Sequence, residues 1–267
     1  MFLVETAAMS TIRIQREGPV ATIVMNRPDK HNAFNPTLIR ELRQGFESVA
    51  READVRVVIL AGEGRSFSAG ADLDWMKGQG EAGQEENLRS AREMGELFRV
   101  IDQCPKPVVA KVQGAALGGG AGLVCSADIA VAGPKALFGF TEVRLGLVAG
   151  VISPFVLRRL GYSVAREKLL TGERFGFEEA LRIGLVHKAG EDLDAAVDGV
   201  VQNLLLGSGE AHAASKRLIA QVSELSEEEQ LEVAARFIST ARASEDGREG
   251  LAAFLGKRAP RWLSRTD

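Results

Sequence analysis

One carboxylate and two glycine-containing turns are the residues of this chain best suited to chemistry. Glu142 stands in Phe140-Thr141-Glu142-Val143, directly behind the apolar run Ala136-Leu137-Phe138-Gly139-Phe140. Upstream lie Ser66-Phe67-Ser68-Ala69-Gly70-Ala71-Asp72-Leu73 and Gly118-Gly119-Gly120-Ala121-Gly122. Glycine permits unusual dihedrals and close approach of a ligand to the backbone. Unpaired N–H groups at a helix start form an anion or oxyanion site. Two such turns aimed at one point, with one carboxylic acid nearby, suit a reaction through an enolate, in which the turns hold the oxyanion and the acid moves the proton. A carboxylate amid aromatic residues has its ionised form disfavoured, which raises its pKa toward a useful range. Each feature also has a structural reading. A Gly-Gly-Gly run serves close helix–strand packing, Glu142 reads as a strand-end surface residue, and Asp72 and Asp74 read as helix caps.

Other chemistries lack their residues. The glycine run fails the G-x-G-x-x-G spacing of a dinucleotide fingerprint, and no G-x-x-x-x-G-K-[S/T] occurs. Ser66 and Ser68 do not form a G-x-S-x-G elbow. His31, His187 and His212 have no metal-ligand spacing, so no metal site is expected. Cys104 and Cys125 are too few and too far apart for a disulfide framework, and read as reduced core thiols.

The elements that must position these residues follow from periodicity. Thr11–Ile14 and Val20–Met25 read as strands joined at Glu17-Gly18-Pro19. Asn35-Pro36 supplies an N-cap and a first-turn proline to a helix with Leu38, Leu42, Phe46 and Val49 on one face. Val55–Leu60, Val108–Val112 and Ile129–Ala132, broken only by Arg56 and Lys111, read as apolar strands of the kind covered on both sides. Strands alternating with helices predict parallel βαβ pairing. Gly78–Asn87, with three glycines, is the candidate mobile loop. Beyond about residue 192 the pattern is helical. Leu193, Val197, Val201 and Leu204 share a face, Ser226-Glu227-Glu228-Glu229 is a capping-box sequence, and Glu245–Gly256 reads as a last helix. The domain reading is a loose leader at 1–10, an α/β core at 11–191 and a helical region at 192–267.

Bulk composition sets the class. The chain has 267 residues, enough for one large α/β domain with a helical appendage. A net charge of -3 gives no reason to expect nucleic acid as the main ligand. No apolar run approaches the roughly 20 residues that span a bilayer. Residues 1–10 lack the regions of a signal peptide, so the expected location is cytoplasmic.

Taken together, these segments resemble the crotonase superfamily, the enoyl-CoA hydratase/isomerase family, over about residues 12–264. Asn26-Arg27-Pro28-Asp29-Lys30-His31-Asn32-Ala33-Phe34 is similar to the family's N-terminal coenzyme A segment. Ser66–Leu73 and Gly114–Gly122 are similar to its two oxyanion turns, Phe140–Gly146 to its acid/base segment, and Glu245–Arg258 to its C-terminal helix. The resemblance implies a spiral of ββα units and a helical C-terminal region that forms a homotrimer or a dimer of trimers. It implies an acyl-CoA thioester substrate and no separate cofactor. It assigns the oxyanion donors to the N–H groups of Ala71 and Gly119, and proton transfer to Glu142. Coenzyme A contacts fall on Lys30, Ala33, Ala69, Asp72 and Leu73, with Phe254 and Lys257 reaching the nucleotide from a neighbouring subunit.

The chain departs from the family pattern at one position. Where well-known hydratases carry a first glutamate, three residues after Gly119, this chain has Gly122. The segment Arg144–Pro154 also lacks the usual Pro-Gly-x-Gly-Gly run and is closer to a subset of bacterial hydratases, some assigned to methylglutaconyl-CoA and related branched substrates. The resemblance thus implies hydration of a 2-enoyl thioester, with 3-enoyl isomerisation as the alternative. An acyl-CoA-binding or RNA-binding scaffold is the non-enzymatic alternative, against which the acidic balance and Glu142 speak.

Overall fold

The computed structural model describes residues 10–223 and 225–263. The expected leader lies outside the described residues except for Ser10. That residue is tied down rather than loose, since its N–H donates to Glu41 Oε1 at 3.1 Å.

The chain opens with an antiparallel hairpin of β1 (Ile12–Glu17) and β2 (Val20–Met25). Helix α1 (Pro36–Arg51) follows, with Asn35 Oδ1 accepting the Leu38 N–H at 2.8 Å. Its predicted apolar face is fully buried. Next come β3 (Val57–Gly62), α2 (Leu73–Glu81), α3 (Gln84–Asp102), β4 (Val108–Val112), β5 (Ala115–Leu117), α4 (Gly119–Ser126), β6 (Ile129–Ala132) and β7 (Leu137–Gly139). Then follow α5 (Ser153–Thr171), β8 (Arg174–Gly176), α6 (Phe177–Arg182) and β9 (Lys188–Ala189). The described chain closes with α7 (Leu193–Leu205), α8 (Gly209–Val222), α9 (Glu227–Ala243) and α10 (Glu245–Leu255).

The main sheet has the order β1-β2-β3-β4-β6-β9, parallel from β2 onward. A second sheet has the order β5-β7-β8. Two isolated parallel bridges, Phe34↔Ala71 and Ser68↔Ala116, extend the second sheet's pattern to earlier turns of the chain. After β2, β3, β4 and β6 the chain thus makes a second extended segment and then a helix, which is the ββα spiral.

The apolar strands are explained by two cores. Val58 and Leu60 of β3, Val108 and Ala110 of β4, and Ala130 and Ala132 of β6 face the larger core with α1 and α3. Val57, Ile59, Val109 and Val131 face the other way, onto Val197, Val200 and Val201 of α7. Fully burying one such side chain is worth about 1.5–3 kcal/mol. Helix α7 therefore forms a layer of the sheet's own core, and the 11–191 and 192–267 segments share that core.

Gly78–Asn87 is not a loop. It spans the end of α2 and the start of α3, which meet at Gly83, the α3 N-cap. Gly78 and Gly80 face open space, and the helix forms around them because Asp72 caps its start. The capping box at Ser226 and Glu229 is present as the sequence suggests.

Candidate active site

The first turn is held from behind. The Phe34 N–H donates to Gly70 O at 2.7 Å, and the Asp72 N–H donates to Phe34 O at 2.9 Å. Ala71 is thereby clamped opposite Phe34, and its own N–H finds no acceptor among the described residues. The Asp72 carboxylate is used structurally. It accepts from Arg27 at 2.9 Å and from the Asp74 N–H at 3.0 Å. Arg27 also donates to Ala33 O. Asn32 Nδ2 donates to Glu63 O at 2.9 Å and Ser66 O at 2.8 Å, and Ser68 Oγ donates to Asn32 O at 2.9 Å. The segment 26–34 is thus a brace for the first turn.

The second turn abuts the first. Gly70 has φ +93° and Gly118 has φ +51°, a region closed to most residues. A Cβ on Gly70 would stand 2.9 Å from Leu117 O and 3.8 Å from Gly118 Cα. These two glycines allow the turns to touch. The Gly118 N–H donates to Gly139 O at 2.8 Å, and Gly118 O accepts the Gly122 N–H at 3.0 Å as α4 begins. Gly119 is the first residue of α4, and its N–H has no acceptor among the described residues, as helix geometry requires. Gly120 answers to packing instead, since a Cβ there would overlap Ser68 O. The packing reading of the glycine run thus holds at Gly120, while Gly119 presents a free N–H.

Glu142 opens a 3₁₀ turn, Glu142–Leu145, just past β7. Its Oε1 lies 3.1 Å from where a Gly118 Cβ would be, so the carboxyl rests against the second turn beside Gly119. Its Oε2 is buried and has no hydrogen-bond partner. Burial pushes the carboxyl above the ordinary glutamate range, opposed only by its own backbone N–H. A carboxyl protonated more readily in the folded state supports folding fully below its unfolded pKa and loses that support as pH rises through its folded pKa. Glu142→Gln, which cannot ionise, is therefore expected to melt above the wild type at about pH 8, with the gap closing below about pH 4. A gap that stays constant in thermal unfolding across that range would contradict the desolvation of this carboxyl.

Gly122, one turn along α4, faces no open space. A Cβ there would overlap Ile152 Cγ2 and stand 3.2 Å from Phe98 Cε1. Ile152, which is 2% exposed, fills this place.

The residues assigned to coenzyme A fall into two groups. Ala33, Ala69, Asp72 and Leu73 gather with Ala71 through the Phe34–Ala71 pairing. Lys30 joins them through an ion pair with Asp74 at 3.6 Å. Leu73 is 78% exposed, while Ala33 and Asp72 are buried. Phe254 and Lys257 stand elsewhere, on and just past α10, which packs on α8 and α9. Phe254 is 80% exposed, and Lys257 lies at φ +48°. Sequence reading missed Arg27, which clamps Asp72, together with Met94 and Ile152, which cover α4. Met94 was hidden because the segment before it read as a loop.

Among the described residues no group of three His, Cys, Asp or Glu is placed to hold a metal ion. No described helix is long and apolar enough to cross a membrane. A cavity of about 460 Å³ lies between α8, α9, α10 and Trp262, and none of Ala71, Gly119 and Glu142 lines it.

The family model described as "Enoyl-CoA hydratase/isomerase" matches residues 15–265. A crystal structure described as that of an enoyl-CoA hydratase from Shewanella pealeana superposes with a TM-score of 0.93 at 40% identity, covering 96% of this chain and 97% of that one. The short-chain-enoyl-CoA hydratase of Clostridium acetobutylicum is 32% identical over 258 residues, 94% of this chain and 96% of its own. The peroxisomal Delta(3,5)-Delta(2,4)-dienoyl-CoA isomerase of Arabidopsis thaliana is also 32% identical, over 95% of this chain and 96% of its own.

Proposed function

The chain belongs to the enoyl-CoA hydratase/isomerase family of the crotonase superfamily, and from that premise we propose that it adds water across the double bond of a 2-enoyl-CoA thioester. The observation that carries this reading is the Glu142 carboxyl, its Oε2 buried and without a hydrogen-bond partner, resting against Gly118, one residue before the unpaired Gly119 N–H.

The Ala71 and Gly119 N–H groups donate to the thioester oxygen held between them and stabilise the charge that grows on it as the enolate forms. Removing one such donor typically costs about 10²–10³ in rate. The α4 N-terminus adds its positive dipole end at the same point. Ionised Glu142 takes a proton from water as the water oxygen bonds to the β-carbon. It then gives that proton to the α-carbon as the enolate collapses, so one water is added and the carboxylate is restored. With Ile152 and Phe98 packed at Gly122, one carboxyl performs both transfers.

That single carboxyl also favours a second reading. Isomerisation of a 3-enoyl thioester needs only one shuttle, from the α-carbon to the γ-carbon, and one relative carries a dienoyl-CoA isomerase name. The acyl group we propose is branched, such as methylglutaconyl. The support is the resemblance of Arg144–Pro154 to branched-substrate hydratases; Gly122 offers no room for a branch, because Ile152 packs there. Assembly as a homotrimer or dimer of trimers is part of the proposal, because it would carry the exposed Phe254 and Lys257 to a neighbouring subunit's nucleotide site. Purified protein given a panel of 2-enoyl and 3-enoyl thioesters, straight and branched, is expected to hydrate 2-enoyl members, branched ones best. Conversion of 3-enoyl thioesters with no hydration of any 2-enoyl member would transfer the assignment to the isomerase.

A further inference from the structure

The α-carbons of α4 that lie nearest the oxyanion donor are covered by four side chains. A Cβ on Gly119 would stand 2.6 Å from Phe34 Cε2 and 2.8 Å from Met94 Cε. Ile152 and Phe98 cover Gly122 in the same way. Phe34 and Phe98 are fully buried and Ile152 is 2% exposed. Met94 alone of the four is partly exposed, so it touches both the first turn of α4 and the space outside it. Met94 Cε therefore packs on the residue that carries the proposed oxyanion N–H, and an acyl group whose carbonyl oxygen sits on that N–H has its α- and β-carbons only one and two bonds from the carbonyl carbon.

We propose that Met94 is a specificity-determining residue that sets how much acyl bulk the site accepts. The inference rests on the acyl-thioester reading above. Three rotatable bonds and a polarisable sulfur let methionine yield to chains of different shape. The neighbouring apolar surface continues the wall. Val151 Cγ1 lies 3.6 Å from a Cβ placed on Gly95, the residue after Met94, and Val151 is itself partly buried against the same core. What this side chain meets is apolar acyl bulk at or beyond the β-carbon, a branch methyl or a longer alkyl chain.

The test compares 2-octenoyl-CoA with crotonyl-CoA. Met94→Ala is expected to raise the ratio of their kcat/KM values about tenfold or more in favour of the longer chain, and Met94→Phe to lower it, since one methylene in an apolar pocket is worth at least that factor. Leu88→Ala, an exposed change on the same helix, is expected to leave the ratio unchanged. Both Met94 variants folded, with a ratio within about twofold of the wild type, would overturn the proposal. A wild type that only isomerises 3-enoyl thioesters removes the hydratase reading and not this one, because 3-octenoyl and 3-butenoyl thioesters then give the same ratio. Should no thioester turn over, the ratio of dissociation constants for the long and short acyl-CoA decides it in the same direction.

Discussion

Glu142→Gln is expected to lower kcat by about 10³-fold while leaving the dissociation constant of the acyl-CoA nearly unchanged. General acid–base catalysis by one positioned group contributes about 10²–10⁴, and the Glu142 carboxyl is the one that rests against Gly118. Affinity rests on contacts made equally in ground and transition states, which this change does not touch. The substitution is nearly isosteric, and Glu142 Oε2 has no hydrogen bond to lose. Stopped-flow turnover with product-binding calorimetry separates the two quantities. A folded Gln variant that turns over at near the wild-type rate would remove Glu142 from the chemistry.

Gly122→Glu is expected to fail at the level of folding. Every residue of α4 is buried, and the new Cβ would overlap Ile152 Cγ2 with Phe98 directly behind. Overpacking alone typically costs about 1–3 kcal/mol, and burying an unpaired carboxylate adds several more. In a protein of this size each kcal/mol lowers Tm by roughly 2–4 °C, so a fall of about 10 °C or loss of soluble protein is expected in thermal unfolding. Adding Ile152→Ala should recover part of the loss by vacating the overlapped space. A single variant as stable as the wild type would contradict the packing described at Gly122.

The sequence carried the elements better than their meeting points. Val108–Val112 and Ile129–Ala132 were legible to the residue, because a strand covered on both faces is apolar at nearly every position, Lys111 being the exception. The α1 face was legible because its burial follows its own period. Contacts between distant turns leave no such trace. Nothing in Ser66–Leu73 announces that Gly70 rests on Gly118, or that segment 26–34 braces the turn from behind. The glycine run posed the same difficulty. Gly118 answers to a positive φ, Gly120 to the Ser68 carbonyl and Gly122 to Ile152, three causes behind one residue type. The α2–α3 segment misled for a related reason, since three glycines outweighed the cap that Asp72 provides.

The central claim is that Glu142 and the two unpaired N–H groups add water to a 2-enoyl thioester. Running the reaction in D₂O and following the product by NMR tests it most directly. The account requires a new hydroxyl on the β-carbon and one deuteron on the α-carbon, with both signals absent for Glu142→Gln. A product that carries no hydroxyl, in which the double bond has moved between the β,γ and α,β positions, would contradict it.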